Sequence, residues 1–256
     1  MLSRKVASLV VFVIVVFAFQ AGLGVIYAFS GDQISDPLAS IPVTIDGKFT
    51  TSNEWSDALR VTLSDSCNGC SGAGYLYLKH TVSTFYFLED FISVTSLNPS
   101  GDFASVTIDS AHDGGSVAGP DDVRFDSSYP TGGSMAIGVN KSDFNWGNAL
   151  PAGVEIAMSF STSPNFAFPH IIAEFAIPFS IFPKLQSTIG FAAAAYACAS
   201  SCSAGIYAQL VIWPSNYYVA TPSTWGELTI SSTSVPVTSG TSSVGLSETD
   251  DKRATL

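Results

Sequence analysis

Apolar and polar residues alternate strictly along most of this chain, and a period of two admits strands with one buried face and little else. Leu59, Val61 and Leu63 alternate with Arg60, Thr62 and Ser64, and Ala104, Val106 and Ile108 with Ser105, Thr107 and Asp109. Val154, Ile156, Met158 and Phe160 repeat the pattern, as do Leu228 and Ile230 around Thr229. Two unbroken apolar runs, Tyr75–Leu78 and Phe85–Leu88, read as a hairpin of central strands covered on both faces. Further strands are expected over 171–177, 189–197 and 206–213. No window carries a 3.6-residue stripe, and Pro178 and Pro183 leave room for one helical turn between them. Many short strands separated by Gly, Pro, Asp, Asn and Ser turns predict an all-β fold, an antiparallel β-sandwich of two sheets.

Both ends are set apart from this pattern. Arg4 and Lys5 precede an apolar run from Val6 to Phe29, the layout of a secretory signal peptide, long enough to serve instead as an uncleaved anchor. Either reading places the rest outside the cell, secreted or tethered at the surface, with the N-terminal segment as its one membrane contact. Residues 232–256 are rich in Ser, Thr and Gly and too poor in apolar side chains to offset their ordering entropy, so a flexible tail is expected. The expected division is therefore 1–30 signal or anchor, 31–231 sandwich and 232–256 tail.

A net charge of −11 with ten Lys and Arg leaves no basic stripe for nucleic acid. The four cysteines fall in two close pairs, Cys67 with Cys70 and Cys198 with Cys202. In an exported chain an even count predicts disulfides, local or crossed between the pairs, with a four-thiolate zinc site as the alternative.

Three separated motifs carry a resemblance. Val43–Lys48 (VTIDGK) is followed by Glu54-Trp55; the runs 74–79 and 84–90 form a hairpin; and 108–115 (IDSAHDGG) leads to 119–125 (GPDDVRF). With 173–178 (AEFAIP) and 224–228 (TWGEL), these resemble, in order and spacing, the family 9 carbohydrate-binding-module-like (DOMON-like) sandwiches. The resemblance spans about residues 41–231 and implies a jelly-roll-like fold. It leaves the ligand open, because sugar-binding, haem-binding and surface proteins share such a sandwich.

The residues themselves point to two candidate sites. Asp109, Asp113, Asp121 and Asp122, with the loop carbonyls of 114–119, offer the oxygens a calcium ion takes. Trp146, in the polar stretch 143–148, and Trp213, Tyr217 and Tyr218, in a second aromatic loop, offer ring faces for stacking on a sugar. Asp46-Gly47 and Glu54-Trp55 read as a tight turn and core packing. Haem is disfavoured, because the mature chain holds only Met135 and Met158 as methionines and lacks a Cys-x-x-Cys-His run. His80, His112 and His170 have no nucleophile beside them, so no enzyme is expected. Asn140-Lys-Ser142 is a glycosylation sequon. The expected function is a non-catalytic module that binds a glycan or cell-envelope polymer. The alternative is a surface-layer or filament subunit that self-associates by strand addition, with Phe29–Pro42 as the donated strand.

Overall fold

The computed structural model describes residues 29–65, 72–99, 101–130, 132–198 and 209–233. The signal or anchor segment, the tail beyond 233, and Cys67, Cys70 and Cys202 lie outside the described residues. Among the described residues thirteen strands follow one another: β1 (Gln33–Asp36), β2 (Leu59–Asp65), β3 (Gly74–His80), β4 (Thr84–Phe91), β5 (Phe103–Asp109), β6 (Asp122–Ser127) and β7 (Gly133–Lys141). The series continues with β8 (Asp143–Asn148), β9 (Glu155–Ser163), β10 (Phe166–Pro178), β11 (Thr188–Ala197), β12 (Gln209–Trp213) and β13 (Gly226–Ile230). The bracketing prolines leave a single 3-10 turn at Phe179–Ile181, as expected.

The strands lie in the order β8-β7-β6-β5-β11-β12-β2-β3-β4-β10-β9, an unbroken path. The two layers of the sandwich are thus halves of one curled sheet, not two separate sheets. They are continuous where β12 meets β2, through Val211↔Asp65 and Ile212↔Ser64. The expected hairpin is β3–β4, in register from Tyr75↔Asp90 to His80↔Phe85.

Inward-facing residues of both halves form one core. Phe87 of β4 stacks on Phe191 of β11 at 5.0 Å between ring centroids, and Leu76, Val106, Ile108, Phe125, Phe175 and Val211 are fully buried around them. Alanines 193 and 195 keep β11 slim where these rings meet, so the alternation sets which face packs and residue volume sets the layer spacing.

One strand departs from the antiparallel expectation. β1 runs parallel to β13, from Gln33↔Glu227 to Asp36↔Ile230. Residues 33–36, part of the Phe29–Pro42 segment offered in the alternative as a donated strand, are therefore paired within their own sheet. Asp36 at the end of β1 is fully buried, with Oδ2 3.2 Å from Nδ1 of His80. Burial pushes the Asp36 carboxyl up to about 6, with His80 pulling the other way. A raised folded-state pKa means that this group's contribution is fully present below its unfolded pKa near 3.8 and is lost as pH rises through about 6. Asp36→Asn, which fixes the uncharged state, is expected to match wild type in stability near pH 3.5. It should exceed wild type by roughly 3 kcal/mol above pH 7. Chemical denaturation across this range checks it, and equal stabilities at both ends would rule out the burial account.

Candidate functional site

The strand β6 organises both candidate sites. Its residues alternate Asp122, Arg124, Asp126 on one face with Val123 and Phe125 on the other, and the apolar pair points into the core. The charged face therefore lies on the outer side of the sheet, with Thr107 opposite Arg124 and Ser105 opposite Asp126 on β5.

At one end of this face the β5–β6 connection, 110–121, folds over the buried Asp109. Oδ1 of Asp109 accepts the backbone N–H of His112 (2.7 Å) and Oδ2 that of Gly114 (2.8 Å). The connection turns through positive φ at His112 (55°), Gly114 (64°) and Gly115 (127°). Two adjacent glycines accept this where side chains resist it. Asp122 Oδ2 accepts from Gly119 at 2.6 Å and closes the other side. Ligand atoms of Asp109, Asp113 and Asp121 come within 4.8 Å of one another. Asp122, the fourth carboxylate expected here, stands outside that set but directly opposite Asp109 in the β5–β6 register. Burial raises Asp109 to about 6, and burial followed by the Asp109 charge raises Asp122 to about 9. A cavity of about 500 Å³ opens beside the group, lined by Asp113, Asp121, Asn140 and by residues 114–117, 119 and 120. His112 is no part of it. Its Nε2 lies 3.0 Å from Glu227 and its ring stacks on Phe29 at 4.4 Å.

Two residues along β6, Arg124 is 4% exposed and held between rings. Its guanidinium carbon lies 5.0 Å from the Trp146 ring, 5.5 Å from Phe103 and 5.5 Å from Tyr196. Its Nε donates to Asp126 Oδ1 at 2.6 Å. The Tyr217 hydroxyl lies 3.1 Å from Oγ1 of Thr107, the residue opposite Arg124 on β5. Trp146 itself is 47% exposed, with Nε1 donating to Asp143 Oδ1 at 2.9 Å. The stretch 143–148, read as a loop from its sequence, is the edge strand β8, which fixes the ring's position.

Of the four aromatic residues expected on a binding face, Trp146 and Tyr217 thus converge on one arginine. Trp213 does not belong with them. It ends β12 on the inward face, 8% exposed, 5.8 Å from the Phe191 ring. A side chain at Gly226 would meet its ring at 2.3 Å, so the two are matched in size. Tyr218 is 61% exposed, and its backbone is tied to Thr224 Oγ1. Arg124, Asp126, Phe103 and Tyr196 were not singled out from sequence.

The remaining motif residues build the scaffold. Trp55 is buried with Nε1 donating to Glu174, and Glu54 caps the N–H groups of Thr44 and Thr50. Both ring nitrogens of His170 are engaged, by Asp90 and by the Phe168 carbonyl, and Met158 lies buried against Ser127. Cys198, the one cysteine among the described residues, sits at the end of β11 with its N–H donated to Asp102 Oδ1 (2.8 Å).

No family model matches the sequence, and neither does any curated protein. Solved structures do match. A carbohydrate-binding module of family 9 from Caldicellulosiruptor kristjanssonii in complex with cellotriose is 18% identical, with a TM-score of 0.56 over 78% of this chain and 93% of that one. A structure of a family 9 module from the same organism in complex with glucose gives 18% identity and a TM-score of 0.55, over 78% and 96%. The chain therefore shares the curled β-sandwich fold of the family 9 carbohydrate-binding modules.

Proposed function

We propose that this chain is a non-catalytic carbohydrate-binding module acting outside the cell, with its glycan seated on the face formed by Trp146, Arg124, Asp126 and Tyr217. The observation that carries this reading is the half-exposed Trp146 ring fixed over a buried, oriented arginine. An indole face stacks on the C–H side of a pyranose, while a guanidinium and a carboxylate beside it bond the hydroxyls. Arg124 already gives Nε to Asp126, which fixes the plane of its fork before any ligand arrives. The neighbours in complex with cellotriose and glucose support the ligand class.

The fold argues less for assembly by strand addition. Residues 33–36, within the segment expected to be donated, are paired with β13 of their own chain.

Trp146→Ala is expected to weaken glycan binding by about 10- to 100-fold, the range of a central aromatic anchor. The ring makes one hydrogen bond, to Asp143, and lies half-exposed at a sheet edge over Arg124 and beside Phe144, so the melting temperature should fall by a few degrees at most. Titration calorimetry with cellotriose, after a glycan array for ligand choice, measures both. A folded protein blank on the array, or full affinity in the Trp146→Ala variant, would overturn the assignment.

A further inference from the structure

We propose that Asn140 carries an N-linked oligosaccharide whose first sugar lies in the cavity beside the β7–β8 turn. This rests on the chain acting outside the cell, as in the function proposed above.

Asn140-Lys-Ser142 is the one Asn-x-Ser/Thr sequence of the chain without a central proline, since Asn98-Pro-Ser100 has one. Three residues of sequence say nothing of access, and the fold supplies it. β7 and β8 pair through Gly138↔Phe144 and Lys141↔Asp143, which leaves Ser142 alone at the tip of the turn. Residues 139–143 are all exposed. Asn140 takes φ 57°, a left-handed conformation that asparagine adopts more readily than most residues with a side chain. Its backbone N–H donates to the Ala118 carbonyl at 2.7 Å, while its side-chain amide makes no hydrogen bond among the described residues. The backbone is anchored and the amide is free to react.

The co-reactant is an oligosaccharide joined to a lipid phosphate, transferred by an enzyme of the export route. Nδ2 of Asn140 forms the bond to C1 of the first sugar. The C1–O bond to the lipid phosphate breaks, its electron pair leaves with the phosphate, and one Nδ2 proton passes to solvent.

The cavity thereby gains an occupant. Asn140 is part of its wall, with Val117 and Pro120. Its volume of about 500 Å³ lies within the roughly 300–1,000 Å³ of small-molecule sites. Val117, 37% exposed, and Pro120 offer an apolar surface that the C–H side of a sugar can cover. Asp113 and Asp121 in the same wall repel anions and accept from the hydroxyls of a neutral sugar. Attachment at the wall raises the local sugar concentration to the order of millimolar, so weak contacts suffice.

The full chain is produced in a secretory host with N-linked glycosylation, and peptides containing Asn140 are weighed by mass spectrometry. Most exported copies should carry an oligosaccharide on Asn140, and Ser142→Ala, exported equally, should carry none. Exported wild type without that mass overturns the attachment, and so does equal occupancy in Ser142→Ala. Retention inside the cell overturns the extracellular reading on which the attachment rests. A glycosidase that leaves one sugar on Asn140 then gives a form to compare with Asn140→Gln. Amide hydrogens of 114–119 should exchange roughly 3-fold or more slowly in the one-sugar form. Equal exchange overturns the cavity half and leaves the attachment. Neither form alters Trp146, so a loss of cellotriose binding bears on the proposed function alone.

Discussion

Glu174→Ala is expected to lower the melting temperature by about 10 °C or more, the largest effect of any single substitution outside the hydrophobic core. Glu174 is fully buried on β10, and its carboxylate collects three N–H groups from the segment before β2. Oε2 accepts Asp46 N at 2.9 Å and Gly47 N at 2.8 Å, and Oε1 accepts Trp55 Nε1 at 3.1 Å. Alanine leaves all three donors enclosed without an acceptor, at about 1–3 kcal/mol each. The middle of that range gives about 6 kcal/mol in sum, and a domain of this size loses about 2–4 °C per kcal/mol. The donors cannot relax away, because Gly47, at φ 75°, is pressed against the β9 backbone, where a Cβ would sit 2.8 Å from Ser159 N. Burial pushes the Glu174 carboxyl up to about 8, and the backbone donors pull it back. Glu174→Gln, which keeps one acceptor oxygen, should lie between the two. Calorimetric melting of the three proteins checks this order. A loss below about 1 kcal/mol for alanine would mean that the 43–55 segment is not held by this carboxylate.

The second large effect is expected at Lys79 and Asp57. Both side chains are fully buried and their charges lie 2.6 Å apart. Lys79 Nζ also donates to the carbonyls of Ile41 (2.9 Å) and Glu54 (2.6 Å), and its charge lies 5.4 Å from the Trp55 ring. Asp57 Oδ2 accepts the N–H groups of Ser40 (2.6 Å) and Ile41 (2.7 Å). Removing one partner strands a charge out of water, so Lys79→Met or Asp57→Leu alone should cost about 3–5 kcal/mol. The double variant strands none and should recover at least half of the summed loss. Urea denaturation with an unchanged m-value measures all four corners of this cycle. Strict additivity would show that the two charges act independently.

Much of this architecture is legible in the sequence, for a physical reason. A strand with one dry face must alternate, and β2, β5, β9 and β13 do so visibly; β3, β4 and β11, covered on both sides, read as apolar runs. Alternation tells which face is buried and is silent on which strands are neighbours. The continuity of the two layers at β12–β2 and the parallel pairing of β1 therefore had no sequence signature. β8 was missed because an edge strand needs little apolar content, and β7, paired between β6 and β8, because only Ala136 and Gly138 of it are buried. Segment 143–148 is Asp-Phe-Asn-Trp-Gly-Asn, and only Phe144 of it is buried.

The two candidate sites differ in the same way. The acidic group could be named in advance because its carboxylates lie within fourteen consecutive positions, 109–122. The arginine's ring of aromatics could be named only in part, as Trp146 and Tyr217, since Phe103, Trp146, Tyr196 and Tyr217 come from four separate parts of the chain and nothing in the sequence joins them to Arg124. One clue was present: Asp122, Arg124 and Asp126 put three charges on one side of a strand whose other side is Val123 and Phe125. Trp213 misled because the proline after it signals a loop. Its partner in the register, Ala193, faces the core, and so does the indole.

The pairing of β1 with β13 also sets a clock on folding. Gln33 Nε2 donates to Glu227 across 194 positions of sequence, so the first strand to emerge waits for the last. At roughly 5–20 residues per second of synthesis, that interval is roughly 10–40 s. Meanwhile the incomplete sheet presents β11 with the edge that β13 later covers from Thr188 to Phe191. A waiting strand of Gln-Ile-Ser-Asp, short and half polar, is a poor template for pairing with another chain. Its modest length costs little once folded and keeps the nascent chain from finding a partner too soon.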